Sequence, residues 1–341
     1  MQSDLKCETG EVLSNFWGSG KIPRIGVIIN PLSGGNRNGL GDIRRLISDH
    51  PQVVHCDVQT PDDVLEALKD FARQEVDLLA VNGGDGTVQA VLTVLFRHQP
   101  FETQPLLAVL QSGTTSMTAR DIGFTGCRIK SLKKLFRWAA AGDGTPQVIH
   151  RPVVQVSSPG HQTRYGMFFG AGAIYQGIEY FHRHVNTRGL RGEIGPGLTI
   201  LRFLLSAMRR GSDFITPVPV AAAVDNGPPQ QFDALVVLVS TLERLFLGFY
   251  PYWGNESGPL HYTAVRAQPR CLLRALPSLL RGRTGAYGTA ANGFFSRNAH
   301  EIKLNLNSGF TLDGQLYVPE TGAQPTVVRD GGRASFLRMK K

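Results

Sequence analysis

Apolar residues along the chain fall into short runs, and each of the first four precedes or follows a stretch of helical character. Ile25 to Ile29 is rich in β-branched residues, the pattern of a parallel strand buried on both faces. It ends at Asn30-Pro31, followed by a glycine-rich stretch from Ser33 to Gly41, after which Asp42 to Ser48 has helical character. Val53 to Val58 predicts a second strand. Thr60-Pro61-Asp62-Asp63 predicts a helix start with proline in the first turn, and Val64, Leu65, Leu68 and Phe71 give that helix an apolar face. Leu78 to Val81 predicts a third strand, Val88 to Phe96 a helix and Leu106 to Leu110 a fourth strand. Strands alternating with helices at this spacing predict a doubly wound α/β domain over residues 23–150, after a polar tail at 1–22.

Beyond about residue 150 the texture changes. Val153 to Val156, Arg164 to Gly170, Val218 to Val224, Ala234 to Val239 and Ile302 to Leu306 read as strands, the last with Ile302, Leu304 and Leu306 on one face. An apolar helix candidate, Leu198 to Met208, interrupts them. The pattern predicts a mostly antiparallel β-sandwich domain over residues 151–321.

Composition agrees with two folded domains. At 341 residues the chain exceeds the usual ~100–200 residues of one domain, and 42% hydrophobic against 18% charged residues excludes global disorder. The longest apolar runs fall far short of the ~18–20 residues of a spanning helix, and the acidic N-terminus lacks the pattern of a signal peptide. Four cysteines lie far apart, which argues against a zinc site or a disulfide scaffold and fits a reducing cytosol. The net charge of +9 is unevenly placed: residues 1–180 carry 17 basic and 17 acidic residues, residues 181–341 carry 19 and 10. The second half is therefore the one expected to face an anionic partner.

The sharpest chemical signal is Asn82-Gly83-Gly84-Asp85-Gly86-Thr87, directly after the third strand and before a helix. Glycines let the backbone approach a ligand closely, and a helix N-terminus favours phosphate. A carboxylate repels phosphate, so Asp85 makes sense there if it holds Mg²⁺ or accepts a proton from an attacking hydroxyl. A tight strand–helix turn with Asp as the cap is the other reading. Asn30-Pro31-Leu32-Ser33-Gly34-Gly35 and Ser112-Gly113-Thr114-Thr115-Ser116 follow the first and fourth strands, and such loops line the ligand crevice of an open α/β sheet.

Asn30-Pro31 with Ser33-Gly34, then Gly83 to Thr87, then Gly113-Thr114 ahead of Ala119-Arg120 and Ile122-Gly123, resemble the diacylglycerol kinase catalytic-domain family, which includes bacterial lipid kinases and is related to sphingosine and ceramide kinases. Leu312-Asp313-Gly314 resembles that family's late Asp-Gly-Glu motif. The resemblance implies an NAD kinase/diacylglycerol kinase-like fold whose nucleotide-binding domain is completed by residues 322–341. It implies ATP and Mg²⁺, with phosphate passed to a hydroxyl of a membrane lipid of the diacylglycerol, ceramide or sphingoid type. By the same resemblance Asn30, Ser33, Thr60, Gly83, Gly84, Asp85, Gly86, Thr87, Gly113 and Thr114 contact nucleotide. Asp85 is implied as metal ligand and, with Asp313, as catalytic.

The chain also departs from the family. Gln315 stands where the family has a Glu often assigned as general base, and an amide cannot take a proton at neutral pH. Ser116 replaces an Asn, Glu256-Ser257-Gly258-Pro259 replaces an acidic stretch, and Gly170 to Tyr175 lacks an acidic residue that some relatives use. These departures keep a lipid- or nucleotide-binding pseudokinase open, and an NAD kinase-like enzyme is the other rival. The segment Arg270 to Arg283 combines leucines with Arg270, Arg274, Arg281 and Arg283, fitting an anionic membrane surface or a core segment with outward arginines. Pro277 is expected to divide it into two short turns. It carries leucines where base stacking would need aromatics, so nucleic acid is not expected. The sequence therefore predicts a cytoplasmic lipid kinase associated peripherally with the inner face of the membrane.

Overall fold

The computed structural model describes residues 22–36, 39–113, 115–184, 216–320 and 324–339. They form two compact units, one running to residue 151 and resuming at 333, the other spanning 152–332. Leu198 to Met208 and nearly all of the N-terminal tail lie outside the described residues.

The first unit alternates strand and helix: β1 Ile25–Ile29, α1 Leu40–Ser48, β2 Val54–Asp57, α2 Pro61–Arg73, β3 Leu78–Asn82, α3 Asp85–Arg97, β4 Leu106–Val109, α4 Met117–Ile122 and α5 Arg128–Ala141. The strands are parallel, and their order is β2-β1-β3-β4, with Phe336 of the C-terminal strand bridged to Leu107 beyond β4. Every residue of β1, β3 and β4 is buried, because helices cover both faces. Ile25, Val27 and Ile29 pack with Ile43, Ile47, Leu132 and Trp138 of α1 and α5. The opposite face of β1 meets α2, where a Cβ on Gly26 would stand 2.8 Å from the Phe71 ring. This is the doubly wound arrangement expected from the sequence. An order of 2-1-3-4 puts the topological switch point, hence the ligand crevice, at the carboxyl ends of β1 and β3.

The second unit is antiparallel and strand-rich. Its elements are the later part of β5 (Pro146–Ser157), β6 Arg164–Gly166, β7 Phe168–Gly172, α6 Ala173–His184, β8 Val218–Val224, β9 Gln230–Ser240, β10 Leu260–Arg266, α7 Leu272–Leu279, β11 Phe294–Ala299, β12 Glu301–Leu306, β13 Phe310–Leu312, β14 Gln315–Tyr317 and the start of β15 (Thr326–Met339). Within it the strand ladder is continuous. β9 pairs β8 along its first half and β7 along its second, with β10 on its other edge. The inward side chains Val237, Val239, Tyr262, Ile302, Leu304 and Phe310 form its core. The unit closes with no loop at residue 332, since β15 is one uninterrupted strand.

Candidate functional site

Three loops meet at the carboxyl ends of the parallel strands. Asn30, just after β1, donates its backbone N–H to the Asn82 carbonyl at 3.0 Å and its side-chain amide to the Thr87 hydroxyl at 2.9 Å. Its side-chain oxygen accepts the Leu32 N–H at 2.9 Å, shaping the turn that carries Ser33. Ser33 Oγ in turn accepts the Gly84 N–H at 3.0 Å. The third loop joins through Ser112, whose hydroxyl donates to Asn82 Oδ1 and whose carbonyl accepts the Gly35 N–H at 2.8 Å. Gly113 and Ser116 close that loop on themselves, the Ser116 hydroxyl accepting from Gly113 N and donating to Gly113 O.

Two glycines explain why these loops can touch. A Cβ on Gly113 would lie 2.7 Å from Gly84 Cα and one on Gly35 2.7 Å from the Ser112 carbonyl oxygen, both immovable backbone. The Gly113 Cβ would also come to 3.6 Å from the Asp85 nitrogen. Its absence leaves room over the first turn of α3, where the N–H groups of Asp85 and Gly86 have no intrahelical acceptor. A helix N-terminus of this kind favours an anion.

Asp85 is the first residue of α3, yet its carboxylate serves another helix. Oδ2 accepts the Met117 N–H at 3.0 Å and Oδ1 the Thr118 N–H at 3.1 Å, which caps α4 and holds the third loop to the second. Burial of the carboxyl group raises its pKa above the ordinary aspartate range, while the two N–H bonds and Arg120 pull it down without prevailing. Each oxygen retains a lone pair.

The remaining site residues predicted from sequence are distributed as follows. Gly83, Gly84, Gly86 and Thr87 stand with Asp85 in the second loop and the start of α3. Thr114 lies outside the described residues. Thr60 is exposed and caps α2 in a reciprocal box with Asp63, whose carboxylate takes the Gln59 and Thr60 N–H groups and is held below its usual pKa by them. Its hydroxyl already accepts the Asp63 N–H, a structural duty that the sequence pattern also announced.

Asp313 and Gly314, both at positive φ (48° and 86°), form the two-residue turn between β13 and β14. Asp-Gly is the dipeptide such a turn favours. The Asp313 carboxylate is 4% exposed and takes the Met167 and Phe168 N–H groups at 2.9 and 3.0 Å, tying the hairpin to β7. Gln315 follows on β14, exposed. Glu256 binds the Asn298 N–H at 2.9 Å and lies 3.5 Å from Arg297. Among the described residues no group of three or more His, Cys, Asp or Glu could hold a metal.

Arg270, Arg274, Arg281 and Arg283 are all exposed. Contrary to expectation, α7 runs unbroken through Pro277. The carbonyl that residue 277 would have bonded belongs to Leu273, a residue 61% exposed on the helix surface. Ala275 and Leu279 pack on Phe294, leaving the arginines outside. The aromatic stretch from Leu245 to Trp253 is divided: Tyr252 is buried, while Leu247 and Tyr250 are exposed.

Sequence reasoning passed over Asn36 and Arg128. Asn36 is fully buried, and its amide nitrogen donates to the carbonyls of Asn30 (2.7 Å) and Asn82 (3.0 Å), while Arg128, at the start of α5, donates to its oxygen. An asparagine among glycines reads as an ordinary turn residue, so only its position in the glycine-rich loop could have flagged it.

Comparison with known proteins agrees with this geometry. Residues 24–143 match the sequence profile of the diacylglycerol kinase catalytic domain. A diacylglycerol kinase of Bacillus subtilis (strain 168) is 39% identical over 61 residues, a segment that is 18% of this chain and 19% of that protein. Among solved structures, a candidate diacylglycerol kinase from Bacillus anthracis str. Sterne superposes with a TM-score of 0.60 at 19% identity, covering 92% of this chain and 96% of that one. Another structure, of a diacylglycerol kinase from the same strain, gives 0.55 at 18% identity with the same coverage. At such identities the structural likeness establishes the fold. The sequence match is what points to a family: residues 24–143 are similar to the diacylglycerol kinase catalytic domain.

Proposed function

We propose that the first unit binds ATP at its three-loop site and that the protein is a phosphotransferase passing the γ-phosphate to a hydroxyl of a membrane lipid. One observation carries the reading: the first N–H groups of α3, which lack an intrahelical acceptor, lie beneath a glycine contact, at the switch point of a parallel sheet, beside a single carboxylate. Transfer of a phosphoryl group is mostly positioning and charge neutralisation. As the acceptor oxygen bonds to the γ-phosphorus, the bond to the β-phosphate oxygen breaks, ADP leaves, and the hydroxyl proton passes to phosphate or solvent. The helix N–H groups hold the phosphates, and Asn30, Ser33 and Thr87 keep the loops in register.

The donor set fits Mg²⁺, which commonly takes one or two carboxylates and completes its shell with water and phosphate. Asp85, with a lone pair left on each oxygen, would hold it, and the ion would offset phosphate charge. Asp313 is proposed to act by shaping its hairpin, since its carboxylate is enclosed and ties the turn to β7. Gln315 is exposed and supplies no base. That supports a mechanism without the family's usual carboxylate and is the observation behind the pseudokinase alternative.

The second unit is proposed to meet an anionic membrane surface through α7 and its flanks. From Ser257 to His300 the chain has no acidic residue, while four exposed arginines and Leu273 share one short segment. Among the described residues no helix is long and apolar enough to cross a membrane, so contact would be peripheral. The test is purified protein with Mg²⁺ and labelled ATP against diacylglycerol, ceramide, sphingosine and NAD. Label in a lipid phosphate supports the proposal, label in NAD moves the protein to the NAD kinase-like class, and bound nucleotide with no transfer leaves a pseudokinase.

A further inference from the structure

We infer that Arg128 is a positioning residue of the nucleotide site, acting through Asn36 to fix the spacing of the loops that follow β1 and β3. The inference rests on the proposal that these loops bind ATP. Arg128 belongs to none of the three loops; it opens α5, in a stretch whose residue types suggest a plain basic helix start. Its guanidinium nevertheless reaches Asn36 Oδ1.

The partners of Asn36 settle which way its amide faces. Two carbonyl oxygens, of Asn30 and Asn82, stand on one side at 2.7 and 3.0 Å and can only accept. On the other side stands a guanidinium, which can only donate. The carboxamide therefore forms a bridge with a fixed direction, from a cation on α5 to the last residues of two strand–loop junctions. Asn30 and Asn82 are themselves joined by a backbone hydrogen bond, and Asn30 reaches on to Thr87 in the first turn of α3. Backbone from Asn36 to Ser33 completes the circuit, since Asn36 N–H donates to the Ser33 carbonyl at 2.8 Å and Ser33 Oγ accepts from Gly84. Removing the Arg128 donor leaves the amide held only by its two Nδ2–H bonds, and both junctions lose part of their common reference. The proposed phosphate site depends on that reference, because its loops meet at contacts of under 3 Å to a missing Cβ.

A residue acting this way should alter nucleotide affinity and leave the chemical step nearly untouched, and its effect should vanish once Asn36 is gone. The experiment uses the full chain and measures Kd for a non-hydrolysable ATP analogue with Mg²⁺ by calorimetry, alongside kcat and KM. Arg128→Met is expected to raise Kd and KM for ATP about tenfold, the loss of one charge-assisted hydrogen bond, with kcat within about twofold. Arg128→Lys, which can still donate to Oδ1 as a point charge, is expected to recover part of that loss. In an Asn36→Ala background, Arg128→Met is expected to add nothing. If it instead multiplies Kd by its full single-variant factor, Arg128 touches the nucleotide itself and the positioning role is overturned. An Arg128→Met protein that binds like wild type also overturns it. Should Asn36→Ala not fold, the same cycle is run with Asn36→Ser. A wild-type protein that binds no nucleotide defeats the ATP proposal at the first titration, before any variant, and the inference falls with it.

Discussion

Asp85→Asn separates the structural work of the second loop from its chemistry. The substitution keeps size and shape but turns one carboxylate oxygen into an NH₂ facing the Met117 or Thr118 N–H. One charge-assisted hydrogen bond worth ~1.5–3 kcal/mol is lost. Against this, a buried charge disappears, and the desolvation of such a charge costs several kcal/mol. The raised pKa of Asp85 says which term is larger, since burial outweighs the N–H bonds and Arg120 together. A raised folded-state pKa contributes stability that is present below the unfolded aspartate value, ~3.9, and is lost as pH climbs through the folded value. Each unit of elevation is ~1.4 kcal/mol against the native state at neutral pH. The neutral amide has no such dependence. Thermal unfolding by circular dichroism from pH 4 to 8 should therefore show the variant gaining on wild type as pH rises, ending at pH 7 within ~1 kcal/mol of it or above. Phosphoryl transfer, measured on the same samples, should fall about a hundredfold or more. A variant whose deficit widens with rising pH, or that loses more than ~3 kcal/mol at pH 7, would show the ionised carboxylate to be a net stabiliser and refute the reasoning.

Other substitutions probe the remaining links. Gly113→Ala places a Cβ 2.7 Å from Gly84 Cα and should cost ~1–3 kcal/mol, read as a lower melting temperature or a weaker nucleotide Kd. Gly41→Ala, on the exposed face of α1 with nothing within 4 Å of the new Cβ, should instead stabilise by ~0.5–1 kcal/mol; equal effects at both glycines would deny the close loop contact its role. Thr60→Ala removes a helix cap and should lower stability by ~1 kcal/mol while leaving nucleotide Kd unchanged, whereas a tenfold loss of affinity would return Thr60 to the site. Changing Arg270, Arg274, Arg281 and Arg283 together to Glu should abolish sedimentation with anionic vesicles, ~1 kcal/mol having been available from each arginine. Unaltered sedimentation would move the membrane contact elsewhere.

What the sequence disclosed follows from where each residue's partners lie. β1 and β3 were legible because strands covered on both faces are apolar throughout, and α2 because Thr60, Pro61 and Asp63 form a local cap. α5 was overlooked although Gly142 at φ 75° ends it in the usual left-handed manner, because Cys127 offers no side-chain cap at its start. β15 was hidden by Asp330-Gly331-Gly332, which interrupt the alternation of a strand that nonetheless continues. In the site, Gly83 to Thr87 announced itself through composition. The Arg128–Asn36–Asn82 chain could not, since it joins positions tens of residues apart and each is an unremarkable residue for its local context.

Asp85 and Asp313 were singled out for the same reason, a carboxylate beside glycine in a family motif, and the structure gives them the same geometry. Each takes two successive backbone N–H groups from a distant segment, Met117 and Thr118 in one case, Met167 and Phe168 in the other. A carboxylate so placed anchors a turn of chain whose N–H groups would otherwise go unpaired. What distinguishes the two is surroundings: Asp85 heads a helix whose first N–H groups lack an intrahelical acceptor, whereas Asp313 sits in a two-residue hairpin turn. Architecture therefore accounts for both motifs, and the proposed ligand chemistry is placed at Asp85. The glycine beside each follows the same division: Gly314 is needed for its positive φ, and Gly84 for the closeness of Gly113. In this chain each Asp-Gly pair is a backbone anchor first, and the carboxylate proposed to be catalytic is the one that heads a helix.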